Sequence, residues 1–167
     1  GKCAALSFNG NKIITTTGGG MFVSNDEEMA NKVRFWSTQS KDPARHYQHS
    51  EIGYNYRMSN VLAGIGRGQM KVVEKRIEKK NEIFETYKNA FKDIEDIEMM
   101  PENENERSNQ WLSAMTLKEN SKVKPLDIIL ALEKENIESR PVWKPMHLQP
   151  VFKKYDFINE NETGISV

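Results

Sequence analysis

The 167-residue sequence lacks several features that would point to particular classes of protein. It has one cysteine, Cys3, so no intrachain disulfide is possible, which agrees with a reducing compartment. Its 24 basic and 24 acidic side chains give a formal net charge of +0, which argues against a nucleic-acid partner. No apolar run approaches the roughly 20 residues that span a bilayer, and no signal-peptide pattern is present. We therefore expect a cytoplasmic protein that binds neither membrane nor nucleic acid.

A lysine lies between a turn and a run rich in hydroxyls and glycines. Lys12 follows the dipeptide Asn9-Gly10, which favours a turn, and precedes the segment Ile13–Gly20. A lysine forms Schiff bases when its ammonium is desolvated or lies beside other cations, and its usual cofactor is pyridoxal phosphate. Ser7 is close enough in sequence to donate its hydroxyl to the phosphate of that cofactor. The alternatives are a solvated lysine in a turn and a serine that satisfies a strand end.

The first part of the chain predicts two strands, a helix and a loop. Cys3–Phe8 and Gly20–Ser24 are short and apolar, as is typical of strands in a mostly buried sheet. Residues 25–37 predict a helix, because a capping residue and two acids precede apolar residues at helical spacing. Residues Gln39–Arg57 are polar and aromatic with little periodicity, which indicates a long loop that carries contacts.

The second part predicts a long helix and then a small α/β unit. One helix is predicted from Ser59 to about Phe91, and its three glycines imply close packing against another element. After a polar connector, Gln110–Leu117 predicts a strand, a helix starts at Pro125, and Ile137–Val142 predicts a second strand. The tail over residues 159–167 predicts irregular structure. A new domain is expected to begin near residue 101.

Four blocks of the sequence resemble one family. Ser7–Gly20 is similar to the cofactor-lysine segment of the DegT/DnrJ/EryC1/StrS sugar aminotransferases, and the blocks Ser37–Gln39, His46–Asn60 and Arg140–Pro150 follow in the family's order. The resemblance implies an α/β fold that forms the C-terminal part of a fold-type-I, pyridoxal-phosphate-dependent transferase. Residues 1–100 would be the end of the large cofactor-binding domain with the interdomain helix, and residues 101–167 an incomplete small α/β domain. The resemblance begins near the middle of a family member, so we expect a fragment that lacks the upstream cofactor contacts.

The resemblance also implies roles for individual residues. Lys12 would form the Schiff base, Ser7 would bind the cofactor phosphate, and Asn55 would reach across a homodimer to the partner's phosphate. Lysine at position 12 favours an aminotransferase over the dehydratase branch, which carries histidine there. No metal is expected, because His46 and His49 lack the acids or cysteines that would complete a site. Five residues are candidates for substrate binding, with packing or surface turns as the alternative: Tyr54, Arg57, Arg140, Trp143 and His147.

The activity that the resemblance implies is amino transfer from glutamate to the 4-keto group of a nucleotide-linked 4-keto-6-deoxy sugar. Within the family, the blocks are most similar to enzymes with a UDP-linked, N-acetylated substrate in bacterial glycan or polysaccharide synthesis. Lys12 would also act as the general base and acid for the proton transfers. Two alternatives stay open: an enzyme for a GDP-linked 4-keto hexose, and a structural or dimerisation fragment without activity.

Overall fold

The computed structural model describes residues 1–157, which form two compact units. The first unit contains Gly1–Asn89 and Glu102–Ser113, and the second contains Ala90–Pro101 and the residues from Ala114 onward. Both units combine helices with antiparallel strands, in agreement with the predicted α/β class. The predicted domains 1–100 and 101–167 stay a prediction, and the predicted irregular tail at residues 159–167 lies outside the described residues.

A β-hairpin with a long connecting loop begins the first unit. β1 (Cys3–Ser7) pairs antiparallel with β2 (Gly20–Ser24), and Ser7 lies opposite Gly20. A Cβ atom at position 20 would collide with the backbone carbonyl oxygen of Leu6, so this register requires glycine. The two strands lie where the sequence predicts them. The prediction of a mostly buried sheet is wrong for the described residues, because this sheet has two strands and every β1 residue is exposed.

Helix α1 (Glu27–Ser37) confirms the predicted helix and its cap. The Oδ1 atom of Asp26 accepts a hydrogen bond from the Met29 amide at 3.0 Å, which satisfies one of the free amides of the first turn. Glu27 and Glu28 place negative charge at the positive end of the helix dipole. The helix packs against β2.

The predicted loop over residues 39–57 is irregular and is held against the C-terminal end of α1. The Tyr54 amide donates to the Trp36 carbonyl at 2.7 Å, and the Gln39 amide donates to the Tyr54 carbonyl at 2.9 Å. Gly53 allows this close approach, because a Cβ atom there would overlap the carbonyl carbon of Gln39. The second half of the loop is therefore fixed to the helix by its backbone.

The single helix predicted from Ser59 to Phe91 is wrong in its continuity. The structure has α2 (Asn60–Met70) and α3 (Val73–Phe91), separated by two residues. At the break, the amides of residues 71 and 72 bond to carbonyls three residues back instead of four. Three glycines in α2 weaken the helix by about 1 kcal/mol each relative to alanine, and β-branched residues follow at 72 and 73.

The second unit, as far as residue 157, contains a short sheet and one α-helix. β3 (Ile97–Met99) pairs antiparallel with β4 (Met115–Leu117), and α4 (Pro125–Lys134) follows as predicted. Two single 3₁₀ turns lie beyond it, at Met146–Leu148 and Pro150–Phe152.

Two predicted strands near this sheet need correction. The strand predicted over residues 110–117 is shortened to β4, because Gln110 adopts a left-handed conformation with a φ of 45°. The strand predicted at Ile137–Val142 is absent from the described structure. Asn136, with a φ of 59°, turns the chain after α4, and Pro141 has no amide to offer a neighbouring strand.

Few large apolar side chains are buried in the described part of the chain. Among residues 1–157, the buried hydrophobic side chains are Ile14 and Phe84, with 9% and 4% of their surfaces exposed. Others are open to solvent, including Ile52 at 81% and Trp143 at 72%. Over the same residues, none of the helices is long and apolar enough to cross a membrane.

Candidate active site

The loop between β1 and β2 holds Ser7 and Lys12 on one short turn. The Asn9 amide donates to the Ser7 Oγ atom at 3.3 Å, and the Lys12 amide donates to the Asn9 carbonyl at 3.1 Å. The Ser7 hydroxyl accepts in this arrangement and still has its own proton to donate. The backbone of Lys12 and the hydroxyl of Ser7 are therefore joined through Asn9, and the predicted roles of the two side chains stay predictions.

The rest of this loop folds back onto the Phe8 carbonyl. That oxygen accepts from the Thr16 amide at 3.0 Å and from the Thr15 hydroxyl at 3.1 Å. The Phe8 amide donates to the Gly19 carbonyl at 3.1 Å and extends the hairpin pairing by one step. Thr16 is 1% exposed, so the loop has a small packed interior of its own.

The middle of α2 and the residue Met58 ahead of it lie against the same loop. A Cβ atom added to Gly66 would meet the Thr16 Cγ2 atom at 3.1 Å, so α2 lies close to the loop at this position. Gly19 has a φ of 87°, and a Cβ atom there would meet the Met58 Cε atom at 2.8 Å. The expectation that the glycines of this helix mark a close approach is therefore confirmed at Gly66. Gly64 and Gly68 face open space.

Trp111 is a neighbour of Lys12 that the sequence analysis missed. The Lys12 Nζ atom lies 4.0 Å from the centroid of the Trp111 ring, in the geometry of a cation–π contact. The Trp111 Nε1 atom donates to the Asn11 carbonyl at 2.7 Å, across 100 residues of sequence. Residues 108 and 109, a serine and an asparagine, were the available signal, because such residues favour turns over strands.

Asn55 and its neighbours lie in the loop against α1. Asn55 forms an isolated β-bridge with Thr38 and is exposed. Among the described residues, no hydrogen bond joins Asn55 to Ser7 or Lys12. The exposed ring of Tyr54 stacks on Tyr56 with centroids 5.1 Å apart, and Arg57 is also exposed. An open cavity of about 600 Å³ is lined by Gln39, His49, Ser50, Glu51, Ile52, Gly53 and Asn55.

One wall of this cavity is tied to α1 by the Glu51 carboxylate. Its Oε1 atom accepts a hydrogen bond from Lys32 Nζ, and its Oε2 atom accepts one from the Trp36 Nε1 atom at 2.8 Å. These hydrogen bonds, Lys32 first and then Trp36, lower the pKa of Glu51 below its ordinary value of 4.5. The contact is called the Glu51 clamp below. It joins the loop of Asn55 to the helix by side chains, in addition to the backbone bonds.

The candidate substrate residues of the second unit have local partners. The Arg140 Nε atom donates to the Glu138 carboxylate at 2.7 Å. The His147 ring stacks on Phe157 with centroids 3.8 Å apart, and the Trp143 side chain is largely exposed. Their predicted roles at a nucleotide-sugar pocket stay predictions.

The histidines of the loop have partners other than a metal ion. His46 Nε2 lies 3.3 Å from the Gln48 Oε1 atom, and His49 Nδ1 lies 2.8 Å from the Gln39 carbonyl oxygen. Within residues 1–157, no group of three or more His, Cys, Asp or Glu side chains is arranged to hold a metal.

Comparison with known proteins identifies the fold and then the family. The solved structure of Helicobacter pylori PseC, described as an aminotransferase involved in the biosynthesis of pseudoaminic acid, matches with a TM-score of 0.81 and 23% identity. The match covers 91% of this chain and 42% of that one, so the fold is that of part of an aminotransferase. The model of the DegT/DnrJ/EryC1/StrS aminotransferase family matches residues 1–165, and the chain belongs to this family. The predicted family and fold class are both confirmed.

Three relatives within the family carry names that differ in the nucleotide sugar they mention, or mention none. EpsN of Bacillus subtilis, provisionally named a pyridoxal phosphate-dependent aminotransferase, is 51% identical over 98% of this chain and 42% of its own length. A GDP-perosamine synthase of Caulobacter vibrioides is 35% identical over 91% of this chain and 41% of its own. A UDP-4-amino-4,6-dideoxy-N-acetyl-β-L-altrosamine transaminase of Campylobacter jejuni is 35% identical over 52% of this chain and 23% of its own length. The chain thus spans about two fifths of the first two relatives.

The Glu51 clamp predicts a pH-dependent contribution to stability. The pKa of Glu51 is lower in the folded state than 4.5, so the carboxylate stabilises the folded loop above that pH, and this contribution is lost as the pH falls through the lowered pKa. We expect Glu51→Gln to lower the Tm of the full-length protein at neutral pH, with a difference from wild type that shrinks under acid conditions. Thermal unfolding across a pH series measures the Tm difference at neutral pH and its decrease under acid conditions.

Glu78→Gln is the matched control, because it removes an exposed carboxylate from α3 outside the loop. It is expected to leave the Tm close to the wild-type value at neutral pH. A Glu51→Gln difference that stays constant down to the lowest pH would contradict the clamp.

Proposed function

We propose that the protein containing this chain is a pyridoxal-phosphate-dependent aminotransferase that acts on a nucleotide-linked keto sugar. The observation that carries the proposal is the closed turn on which a half-buried Lys12 follows the hydroxyl of Ser7, in a chain of an aminotransferase family. A primary amine and a hydroxyl donor are the groups that this cofactor requires for its aldehyde and its phosphate. The residues present therefore fit the cofactor.

Lys12 and Ser7 have separate tasks in this proposal. Ser7 donates its hydroxyl to the phosphate, and Lys12 supplies the amine that attaches the cofactor. When bound, pyridoxal phosphate supplies the electron sink that stabilises the negative charge left on the donor's α-carbon. Lys12 Nζ then takes the proton from that α-carbon and, in the second half of the reaction, delivers a proton to C4 of the sugar.

The overall exchange balances without a redox partner. The amino group and a hydrogen pass from the donor, proposed to be glutamate, to the C4 carbonyl of the sugar. The carbonyl oxygen of the sugar is replaced by nitrogen, and the donor becomes a 2-oxo acid. The products are a 4-amino sugar and 2-oxoglutarate.

The sugar substrate is proposed to be UDP-linked, N-acetylated and 6-deoxy, for bacterial glycan or polysaccharide synthesis. The motif blocks support this choice, and so does the similarity to the Campylobacter transaminase with a UDP-linked product name. A GDP-linked 4-keto hexose is the second candidate, because the similarity to the GDP-perosamine synthase extends over more of the chain.

Asn55 is proposed to serve the active site of a second copy of this chain. It is exposed and lines an open cavity, so its side chain is accessible to a second copy of the chain, which supports this proposal. The proposed enzyme is then a homodimer in which each cofactor is held by both subunits.

Replacement of Lys12 tests the central proposal. We expect Lys12→Ala in the full-length protein to abolish covalent attachment of pyridoxal phosphate, because the amine that attacks the aldehyde is gone. Borohydride reduction followed by peptide mass spectrometry locates the attached cofactor in wild type and variant. Lys2→Ala, at an exposed lysine ahead of β1, is the control and is expected to keep the attachment. Attachment to another lysine, or none in wild type, would refute the proposal and favour the structural or dimerisation role.

Mixed subunits test the position of Asn55. Lys12→Ala and Asn55→Ala are each expected to be poorly active as homodimers. A heterodimer of the two contains one site with Lys12 from one subunit and Asn55 from the other, so activity should return to about half of wild type if both sites contribute equally. Subunits carrying different tags allow the heterodimer to be purified. Failure of the heterodimer to regain activity would place Asn55 in the site of its own chain.

Nucleotide protection distinguishes the two substrate candidates. UDP is expected to raise the Tm of the full-length protein, and GDP at the same concentration is expected to raise it less. The reason is that a ligand that binds the native state more tightly stabilises it more against unfolding. A thermal-shift titration with both nucleotides measures this difference. Stronger protection by GDP would replace the UDP proposal with the GDP candidate and leave the aminotransferase proposal intact.

A further inference from the structure

We propose that Trp111 is a positioning residue for Lys12, an inference that rests on the proposed function of that lysine. The indole contacts both the ammonium of Lys12 and the backbone of the turn that carries it. It therefore fixes the direction in which the amine points before the cofactor arrives. Trp111 acts through Lys12 and takes no part in the chemical steps itself.

Two contacts of different kinds meet on this one side chain. The ring face holds the Lys12 ammonium at 4.0 Å from its centroid, which is an attraction between a cation and the negative face of the ring. The indole N–H donates to the Asn11 carbonyl at 2.7 Å, directly before Lys12 in the chain. The first contact orders the end of the lysine side chain, and the second orders its base.

The segment that carries Trp111 is itself anchored within the first unit. The Trp111 amide donates to the Asn109 Oδ1 atom at 3.1 Å. The neighbouring Gln110 is 8% exposed, and its side-chain amide donates to the Glu102 carboxylate at 2.7 Å. These bonds anchor the chain at Trp111 and at the residue directly before it, so the indole extends from a fixed segment.

The choice of an aromatic ring suits a lysine that must later react. Among the described residues, no carboxylate forms an ion pair with Lys12. The ring face therefore orders the end of the Lys12 side chain without an ion pair. Lysine has four rotatable bonds, and a side chain of this kind loses rotamer entropy when it is ordered. Because the side chain is ordered in advance, less rotamer entropy is lost when the cofactor attaches to Lys12.

Two substitutions separate the ring face from the N–H group. Trp111→Phe keeps an aromatic face and loses the hydrogen bond to Asn11, whereas Trp111→Leu keeps apolar bulk and loses both contacts. Loss of a cation–π contact at a partly exposed site corresponds to roughly a two- to five-fold change in the equilibrium between the ordered and the free Lys12 side chain. We expect the cofactor to be trapped on Lys12 by borohydride several-fold more slowly in the leucine variant, with partial rescue by phenylalanine.

A readout that needs no cofactor tests the contact directly. In full-length protein with ¹³C-labelled lysine and no cofactor, the side-chain signals of Lys12, assigned by their loss in Lys12→Ala, are expected to lie upfield because of the ring current. That shift should persist in part in Trp111→Phe and disappear in Trp111→Leu.

Ile77→Ala is the stability control, because it removes apolar packing from α3 in the same unit. It is expected to lower the Tm while leaving the trapping rate of the folded protein unchanged. Wild-type trapping rates and an unchanged Lys12 shift in Trp111→Leu would overturn the inference and leave the proposed function standing. Absence of trapping on Lys12 in wild type would instead reject the proposed function, and with it the positioning role.

Discussion

The antiparallel register between β1 and β2 is the constraint on which the candidate site depends. Pairing of Ser7 with Gly20 closes the intervening residues into a loop of fixed length, and Lys12 lies on a turn of that loop. A slip of one residue would move every side chain of a strand to the other face and break the inward bonds to the Phe8 carbonyl. Gly20 protects the register, since the approach of the Leu6 carbonyl leaves no room for a side chain there.

The parts of the fold that the sequence predicted correctly are those set by neighbouring residues. The Asp26 cap, the turn at Asn9-Gly10 and the start of α4 at Pro125 depend on contacts within a few residues. The strand predicted over residues 110–117 lacks its first part, because a left-handed Gln110, whose amide donates to the Ser108 side chain, departs from extended backbone there. The break before Val73 was missed because periodicity continues across it, although the hydrogen bonds do not.

The candidate site shows the same division between local and distant information. Ser7 and Lys12 lie on one turn, so spacing and resemblance were enough to pair them. Trp111 contacts Lys12 from 100 residues away, and no periodicity in a single sequence reports such a contact. The Glu51 clamp is intermediate, because Lys32 and Trp36 lie on a helix that was predicted, but the fold of the loop brings the carboxylate to them.

The small number of buried apolar side chains affects how the stability of these units responds to temperature. Among the described residues, Ile14 and Phe84 are the large hydrophobic side chains removed from water, and many others stay exposed. The heat capacity change of unfolding grows with the apolar area that unfolding exposes, and it sets the curvature of the free energy of unfolding against temperature. Exposed side chains of the described residues would add to that change wherever the full-length protein buries them, so the curvature measured on that protein reports how much of this apolar surface is covered there.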